Sequence, residues 1–160
     1  YKNFEYSLKI FSKIIKRYPN VILIKIGNSF DKDIKDSLND NIYNFHSLDR
    51  VEMSNLYKCC DLLLFPSLYE GFGIPCLEAM KCGIPVVGSN KASLKELLSI
   101  NSQFPLNNDL KIINHINKLF IDKNYHNKHK KISINQSIKF NRNNYPIKIN
   151  NLYKNVLKYN

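Results

Sequence analysis

The sequence predicts an α/β protein with a doubly wound, Rossmann-like parallel sheet that helices cover on both faces. Two observations support this fold class. Short apolar runs bounded by polar or turn residues recur along the chain, as expected for parallel strands buried on both faces. Segments with apolar residues at helical spacing lie between these runs, and this alternation is typical of strands joined by crossover helices. A length of 160 residues suits a single domain with its own core.

The first part of the chain is predicted to form a helix followed by strands. Asn3 can cap the helix and Pro19 ends it. Its apolar stripe consists of Phe4, Leu8, Phe11, Ile15 and Tyr18. Residues 21–27 are rich in β-branched side chains and are predicted to form a buried strand. Residues 31–41 are polar and are expected to form a short helix and a loop, and Ile42–Phe45 is a further strand.

The middle of the chain is predicted to continue the alternation. Asp49 and Glu52 form a capping box at the start of a short helix. Residues 62–65 and 86–87 are predicted to be buried strands, and a helix between them begins near Ile74.

The last part of the chain is predicted to be helical. Ser93 and Glu96 form a second capping box, which starts a short helix. Longer helices are expected at Asp109–Ile121, at about residues 125–140 and from about residue 147 to the end. The last of them is expected to pack through Leu152, Tyr153, Val156 and Leu157.

The segment between the two central strands places a helix N-terminus at the carboxyl end of a parallel strand, where open α/β sheets bind ligands. Gly71 and Gly73 flank Phe72 and allow the backbone to approach a ligand closely. The helix N-terminus favours an anion, whereas ionised carboxylates such as Glu70 and Glu78 accept hydrogen bonds from hydroxyl groups. A nucleotide-sugar combines phosphates with hydroxyls and would use both features. Taken singly, each glutamate is better explained as an ordinary surface residue of a loop or helix.

The string Glu-Gly-Phe-Gly-Ile-Pro-x-x-Glu-Ala-Met over residues 70–80 resembles the signature of the family-four retaining glycosyltransferases, also called group 1, which have the two-domain GT-B fold. The resemblance extends through Pro66 and Ser67 and through residues 83–87. It implies that residues 1–160 form the carboxyl-terminal, donor-binding half of such an enzyme. The first strand of that half and the amino-terminal acceptor domain would then lie outside this sequence.

The resemblance also implies roles for individual residues. Glu70 would be the catalytic carboxylate, Glu78 would bind the ribose hydroxyls, and Lys2 would bind the diphosphate. The implied donor-binding set is Lys2, Gly71, Phe72, Gly73 and Glu78. The reaction would move a sugar such as a hexose from a nucleotide-sugar to a glycan, lipid or other acceptor with retention of configuration, without a metal or cofactor. The chain alone is expected to bind the donor weakly and to catalyse little.

Three positions depart from the pattern of that family. Asn28, Ser47 and Ala92 stand where relatives commonly carry glycine. These departures leave room for an alternative, a non-catalytic nucleotide-binding or interaction module derived from the same fold.

The formal net charge of +11 raises the question of an anionic partner. Only three of the 24 basic residues are Arg, and the lysines are scattered without interleaved aromatic residues. This pattern favours solvated surface lysines over nucleic-acid binding and leaves contact with a membrane surface open. The sequence contains no apolar run of membrane-spanning length and no secretory leader. We expect a cytoplasmic protein that can rest on the inner face of a membrane, and a chain that begins at Tyr1 rather than Met is expected to be a fragment.

The cysteine and histidine residues do not predict a metal site. Cys59, Cys60, Cys76 and Cys82 lack the spacing of paired metal ligands and are expected to be reduced and buried. His126 and His129 could lie one helical turn apart, and a pair on the surface is expected.

Overall fold

The structure is a computed structural model that describes residues 1–28, 41–141 and 145–157. Its helices are α1 (Phe4–Ile15), α2 (Arg50–Cys59), α3 (Ile74–Lys81), α4 (Leu94–Leu97), α5 (Asp109–Ile121), α6 (Lys123–Ile138) and α7 (Tyr145–Leu157). Its strands are β1 (Leu23–Ile26), β2 (Ile42–Phe45), β3 (Leu63–Phe65), β4 (Val86–Ser89) and β5 (Gln103–Phe104). A 3₁₀ turn, Ile100–Ser102, precedes β5. The helix predicted within residues 31–41 falls almost wholly outside the described residues.

The α/β fold class is confirmed, because every hydrogen-bonded pair of strands in the described ranges is parallel. The strands form two groups. β1 pairs with β2, in register from Leu23 opposite Ile42, and β4 lies between β3 and β5. No hydrogen-bonded pairing joins the two groups within the described part of the chain.

Burial distinguishes the central strand from the others. All four residues of β4 are buried, whereas every residue of β1 and β3 is only partly buried. The sequence predicted buried strands at residues 21–27 and 62–65. Strands are present in both segments, but the predicted burial was wrong, because their residues are only partly buried. β1 and β3 each have a hydrogen-bonded neighbour on one edge only among the described residues, so the other edge leaves their apolar side chains partly accessible.

Helices cover both faces of the larger sheet. Successive side chains of a strand point to opposite faces, and β4 places Val86 in one apolar cluster and Val87 in another. The Val86 cluster includes Met80 of α3 and Leu94 of α4. The Val87 cluster is formed mainly by α1 and α5, with Ile10, Ile14, Ile112, Ile116 and Leu119. This arrangement fixes α3 against one face of the sheet, with its N-terminus beside the loop that follows β3.

Of the three predicted N-caps, one is confirmed. Asp49 accepts hydrogen bonds from the N–H groups of Val51 (2.7 Å) and Glu52 (2.8 Å), and the Glu52 side chain accepts from the Asp49 N–H, which completes the capping box. The other two predictions were wrong, because both side chains bond to a distant loop instead. Asn3 occupies the N-cap position of α1, but its side chain donates to the carbonyl of Pro66 (3.1 Å) and forms no cap hydrogen bond. Ser93 also forms no cap with its own helix.

Helix boundaries differ modestly from the expected ones. α1 ends at Ile15, earlier than Pro19, and α6 begins at Lys123 because Asp122 caps it by accepting from the N–H of Tyr125 (2.9 Å). α5 has the predicted bounds.

The predicted packing of the last helix was wrong for the side chains that the structure describes. Leu152, Tyr153 and Leu157 of α7 are between 62% and 72% exposed.

Candidate functional site

The loop between β3 and α3 contains two glycines with different structural requirements. Gly73 is the N-cap of α3 in a left-handed conformation (φ 91°), and a Cβ there would lie 2.7 Å from Cδ2 of the buried Leu94. Both the backbone and the packing therefore require glycine at Gly73. A Cβ at Gly71 would meet nothing within 4 Å. Gly71 is open to any molecule that occupies the space beside the loop.

The start of α3 presents backbone donors. The N–H groups of Gly71, Phe72 and Gly73 have no hydrogen-bond partner among the described residues, and the first turn closes only where Cys76 donates to the carbonyl of Gly73 (3.0 Å). Free N–H groups at a helix N-terminus, together with the helix dipole, favour an anion. This end of α3 can bind phosphate or a sugar oxygen.

Glu70 is held in place by serine hydroxyls. Ser67, which is buried, donates to Oε1 of Glu70 (3.0 Å), and Ser93 donates to the Glu70 carbonyl (2.8 Å). Ser89 in turn donates to the carbonyl of Ser67. Ser67 thus orients the partly buried carboxylate, while Ser93 and Ser89 fix the backbone around it. No protein donor occupies Oε2 of Glu70 among the described residues.

Glu78 lies in the second turn of α3 and lines an open cavity of about 430 Å³. The hydroxyl of Tyr57, a buried residue of α2, donates to Oε2 of Glu78 (3.3 Å). Burial first, and then the negative charge of Glu78, raise the pKa of Tyr57 above its ordinary value. Tyr57 therefore stays protonated and remains a donor to Glu78. The cavity is lined by Leu48, Asp49, Arg50, Met53, Ser54, Tyr57, Glu78, Lys81 and Cys82.

The two carboxylates lie on different elements, Glu70 in the loop before α3 and Glu78 in the second turn of the helix. Glu78 lines the cavity and Glu70 does not. At 1.5 Å per residue, Glu78 lies about 7.5 Å along the helix from the Gly73 cap, and Glu70 lies beyond that cap. Cys76 lies between them and is buried; burial and the charge of Glu70 raise the pKa of its thiol, so it is uncharged. The two acids have different hydrogen-bond partners, Ser67 for Glu70 and Tyr57 for Glu78.

Lys2 and Phe72 also lie at this end of the sheet. The Leu68 N–H donates to the carbonyl of Tyr1 (2.8 Å), and Asn3 bonds to the same loop, so the exposed Lys2 is held next to the segment that leads to Glu70. Phe72 is 37% exposed. Its ring packs edge-on against Phe140, with 5.9 Å between ring centroids.

A comparison with protein families matches residues 1–136 to the family described as glycosyl transferases group 1. The chain belongs to this family.

Relatives of known sequence agree with the family assignment. The serotype-specific mannosyltransferase WbdA of Escherichia coli is 40% identical over 86 residues, which are 53% of this chain and 11% of that protein. The uncharacterized glycosyltransferase MJ1607 of Methanocaldococcus jannaschii is 35% identical over 106 residues, or 61% of this chain and 26% of that protein. The chain thus corresponds to about a quarter or less of these two relatives.

Solved structures show the same fold. The crystal structure of the C-terminal domain of a glycosyl transferase group 1 family protein (LpcC) from Francisella tularensis matches with a TM-score of 0.74 at 19% identity. The match covers 86% of this chain and 78% of that domain. The α/β architecture of this group 1 chain is therefore that of a glycosyltransferase C-terminal domain.

Sequence reasoning missed the residues that hold the two glutamates. Ser93 was assigned to a capping box because Glu96 follows three residues later, yet its hydroxyl bonds to Glu70. No periodic pattern marks Tyr57 as the partner of Glu78. Ala92, one of the three positions expected to depart from the family pattern, has a positive φ of 44°, a conformation that glycine adopts more easily than alanine.

The cysteines and histidines differ in part from expectation. All four cysteines are free, but only Cys76 is buried and Cys59 is exposed. His129 is buried against the rings of His115 and Tyr125, so the expected surface pair with His126 was wrong. Within the described ranges, no three potential ligand side chains cluster as a metal site would require. No described helix is both long and apolar enough to cross a membrane.

Proposed function

We propose that this chain is the donor-binding half of a retaining glycosyltransferase of family four, which transfers a hexose or similar sugar from a nucleotide-sugar to an acceptor. The observation that carries the proposal is the order of groups through the loop before α3 and into that helix. A carboxylate held by serines, a set of free backbone N–H groups and a second carboxylate beside a cavity follow one another. A sugar, a diphosphate and a nucleoside follow one another in the same way in a nucleotide-sugar.

The cavity beside Glu78 suits the nucleoside. Leu48, Met53 and Tyr57 offer apolar surface to a base, and Glu78 can accept hydrogen bonds from the ribose hydroxyls. Tyr57 fixes one oxygen of the Glu78 carboxylate and leaves the other free for this role.

The N-terminus of α3 suits the diphosphate. The N–H groups of Gly71, Phe72 and Gly73 and the helix dipole stabilise negative charge, which grows on the diphosphate as the bond to the sugar breaks. Lys2 adds a positive charge from the adjacent segment. Donors that are positioned before the reaction contribute most at the transition state, where negative charge is developing on the leaving group.

Glu70 suits the sugar. Its carboxylate lies beyond the helix N-terminus, where it can orient the sugar hydroxyls and stabilise positive charge at the anomeric carbon. We propose that this reaction retains the anomeric configuration and needs no bound metal. Turnover that is unchanged by excess EDTA, with a product of the same anomeric configuration as the donor, would support both statements.

The roles of the two glutamates are tested in the full-length protein. A panel of nucleotide-sugars that includes UDP-glucose and, because WbdA is a mannosyltransferase by name, GDP-mannose first identifies the donor by thermal stabilisation. Glu70→Gln should then lower kcat about 100-fold or more with little change in donor Kd, whereas Glu78→Gln should weaken donor binding about tenfold. Glu5→Gln, on the exposed face of α1, is the control and should change neither quantity. Equal, negligible effects of both variants would remove the assigned roles.

We also propose that the acceptor binds mainly to a part of the protein outside this chain, and that a parallel strand from outside it completes the sheet. Its place would be between β1 and β3, whose apolar side chains are only partly buried. The first residue, Tyr1, bonds to Leu68 just beyond β3, and the Lys25 ammonium of β1 lies 5.0 Å from the centre of the Phe4 ring. Amide hydrogen exchange tests this proposal, since β1 and β3 should exchange much more slowly in the full-length protein than in residues 1–160 alone. Equal exchange would contradict it.

The location of the protein is proposed on sequence grounds alone. We propose a cytoplasmic protein that contacts the inner face of a membrane through its lysines. Sedimentation with anionic vesicles at low salt, which is reversed at high salt, would support this, and no binding at low salt would contradict it.

A further inference from the structure

A second cavity, of about 350 Å³, lies at the outer edge of β5 against α5. No residue lines both this cavity and the one beside Glu78. This cavity is lined mainly by β5 and α5, whereas the one beside Glu78 is lined by α2, α3 and the residues next to them. The group 1 signature at residues 70–80 contributes nothing to this second cavity.

The charge of the cavity is positive. Lys111 and Lys118 of α5 both line it, and no Asp or Glu does so. Each lysine lies over an aromatic ring, Lys111 at 5.9 Å from the centre of Phe104 and Lys118 at 4.6 Å from the centre of Tyr125. Neither lysine forms an ion pair with a described carboxylate. Both ammonium groups are therefore placed by cation–π contact and keep their charge available to an anion.

A buried, unpartnered polar atom belongs to the same cavity. His115 lines it and is only 7% exposed. Its Nδ1 lies 2.9 Å from the Tyr125 hydroxyl, while its Nε2 has no partner. Burial and the neighbouring His129 lower the pKa of His115 to about 4, so the ring is neutral at ordinary pH. Whichever ring nitrogen carries the proton, Nε2 is a buried polar atom without a hydrogen-bond partner among the described residues.

We propose that this cavity binds a phosphate-bearing small molecule, at a site separate from the donor site. Lys111 and Lys118 supply the charge for the phosphate. The exposed amides of Asn101 and Asn114 line the same cavity and can bond to hydroxyl groups. The volume lies at the lower end of small-molecule sites and exceeds what a free phosphate ion fills, so an ester such as a sugar phosphate matches it best.

Calorimetric titration of the full-length protein with glucose 6-phosphate tests the proposal, with uncharged glucose and inorganic phosphate as comparison probes. Saturable binding of glucose 6-phosphate is expected, with no binding of glucose. The double variant K111A/K118A should weaken binding at least tenfold. K130A/K131A removes the same charge from exposed lysines of α6 that do not line the cavity, and it should leave binding unchanged.

A second pair of variants changes charge without removing a lysine. Asn114→Asp replaces an amide of the cavity by a carboxylate of the same shape and should weaken binding severalfold. Asn127→Asp, on the exposed face of α6, is its control and should have no effect.

Three results would overturn the proposal. They are the absence of saturable glucose 6-phosphate binding, an equal loss in K111A/K118A and K130A/K131A, and full affinity in K111A/K118A. An equal loss in both double variants would mean that the ligand responds only to the overall positive charge of the protein. Full affinity in K111A/K118A would mean that the ligand binds at another site. The outcome does not depend on the proposed sugar transfer, which is measured separately through Glu70 and Glu78.

Discussion

The hydroxyl of Ser67 lies 3.0 Å from Oε1 of Glu70 and donates a hydrogen bond to it. Ser67 is 1% exposed and is the second residue after the end of β3. The bond therefore links a fixed point of the sheet edge to the carboxylate proposed to act on the sugar. It restricts the rotamer of Glu70 before any ligand arrives, which is the preorganisation that electrostatic catalysis requires.

Ser67→Ala is expected to lower kcat about tenfold while donor Kd changes less than twofold, because the carboxylate loses its orientation and the diphosphate contacts remain. Initial-rate kinetics and calorimetry with the donor measure the two quantities. Ser12→Ala is the control, since that hydroxyl bonds only within α1. A rise in Kd equal to the fall in kcat, or a melting temperature that falls enough to explain the lost activity, would count against a positioning role.

The two glycines around Phe72 should respond differently to substitution by alanine. Gly71→Ala places a Cβ in open space, so the free energy of unfolding should change by less than about 0.5 kcal/mol, while donor binding weakens at least tenfold. Gly73→Ala should lower the free energy of unfolding by about 2 kcal/mol, because alanine is strained at φ 91° and meets Leu94 at 2.7 Å. Urea denaturation and donor titration separate the effects. Full donor affinity in Gly71→Ala would show that no ligand approaches that backbone.

The sequence predicted the signature loop and the order of elements well, because these depend on local signals. Proline, glycine and a run of apolar residues mark the strand, turn and helix of residues 62–81 without help from the rest of the chain. The partners of the two glutamates could not be predicted in this way. Ser93 bonds to Glu70 across 23 positions, and Tyr57 bonds to Glu78 across 21. Such contacts depend on how helices pack on the sheet, which no local pattern encodes.

The same limit explains the errors about burial. Apolar composition alone made β1 and β3 look like fully buried strands. Burial depends on the neighbours on both edges, and each of these strands has only one described neighbour. His129 was misjudged in the opposite direction, because its lysine-rich surroundings in sequence, Lys128 and Lys130, lie on the exposed face of α6 while His129 itself packs inward.

Asp109 joins α5 to α1, and its contribution to stability should depend on pH. Its carboxylate is bonded by Lys9 and Lys13 (2.8 Å each) and by the Tyr6 hydroxyl (2.8 Å). The Lys13 contact, followed by those of Lys9 and Tyr6, holds the pKa of Asp109 well below its ordinary value. In the unfolded chain an Asp carboxyl has a pKa of about 4. A carboxylate whose pKa is lower in the folded protein stabilises the folded state fully above that pH, and this stabilisation is lost as the pH falls below it.

Asp109→Asn is therefore expected to lower the free energy of unfolding by about 1 kcal/mol at pH 7, with a smaller difference from the wild type at pH 3. Urea denaturation at the two pH values measures both differences. Asp61→Asn, at an exposed carboxylate without an ion pair among the described residues, is the control. A difference of the same size at both pH values would mean that the charge of Asp109 contributes nothing.

Ala92 adopts φ 44° in the turn between β4 and α4, a conformation that costs a residue with a Cβ about 1–2 kcal/mol. Glycine avoids this strain, but ordering a glycine on folding costs about 0.5–1 kcal/mol more in conformational entropy than ordering an alanine, because the unfolded chain is freer there. Ala92→Gly should therefore raise the free energy of unfolding by about 0.5–1 kcal/mol, since the exposed methyl group gives up no buried contact. Ala79→Gly, at the buried face of α3, is the opposite control and should lower it by about 1 kcal/mol or more. Urea denaturation of both variants decides the matter, because a loss of stability in Ala92→Gly would be incompatible with a strained backbone at that turn.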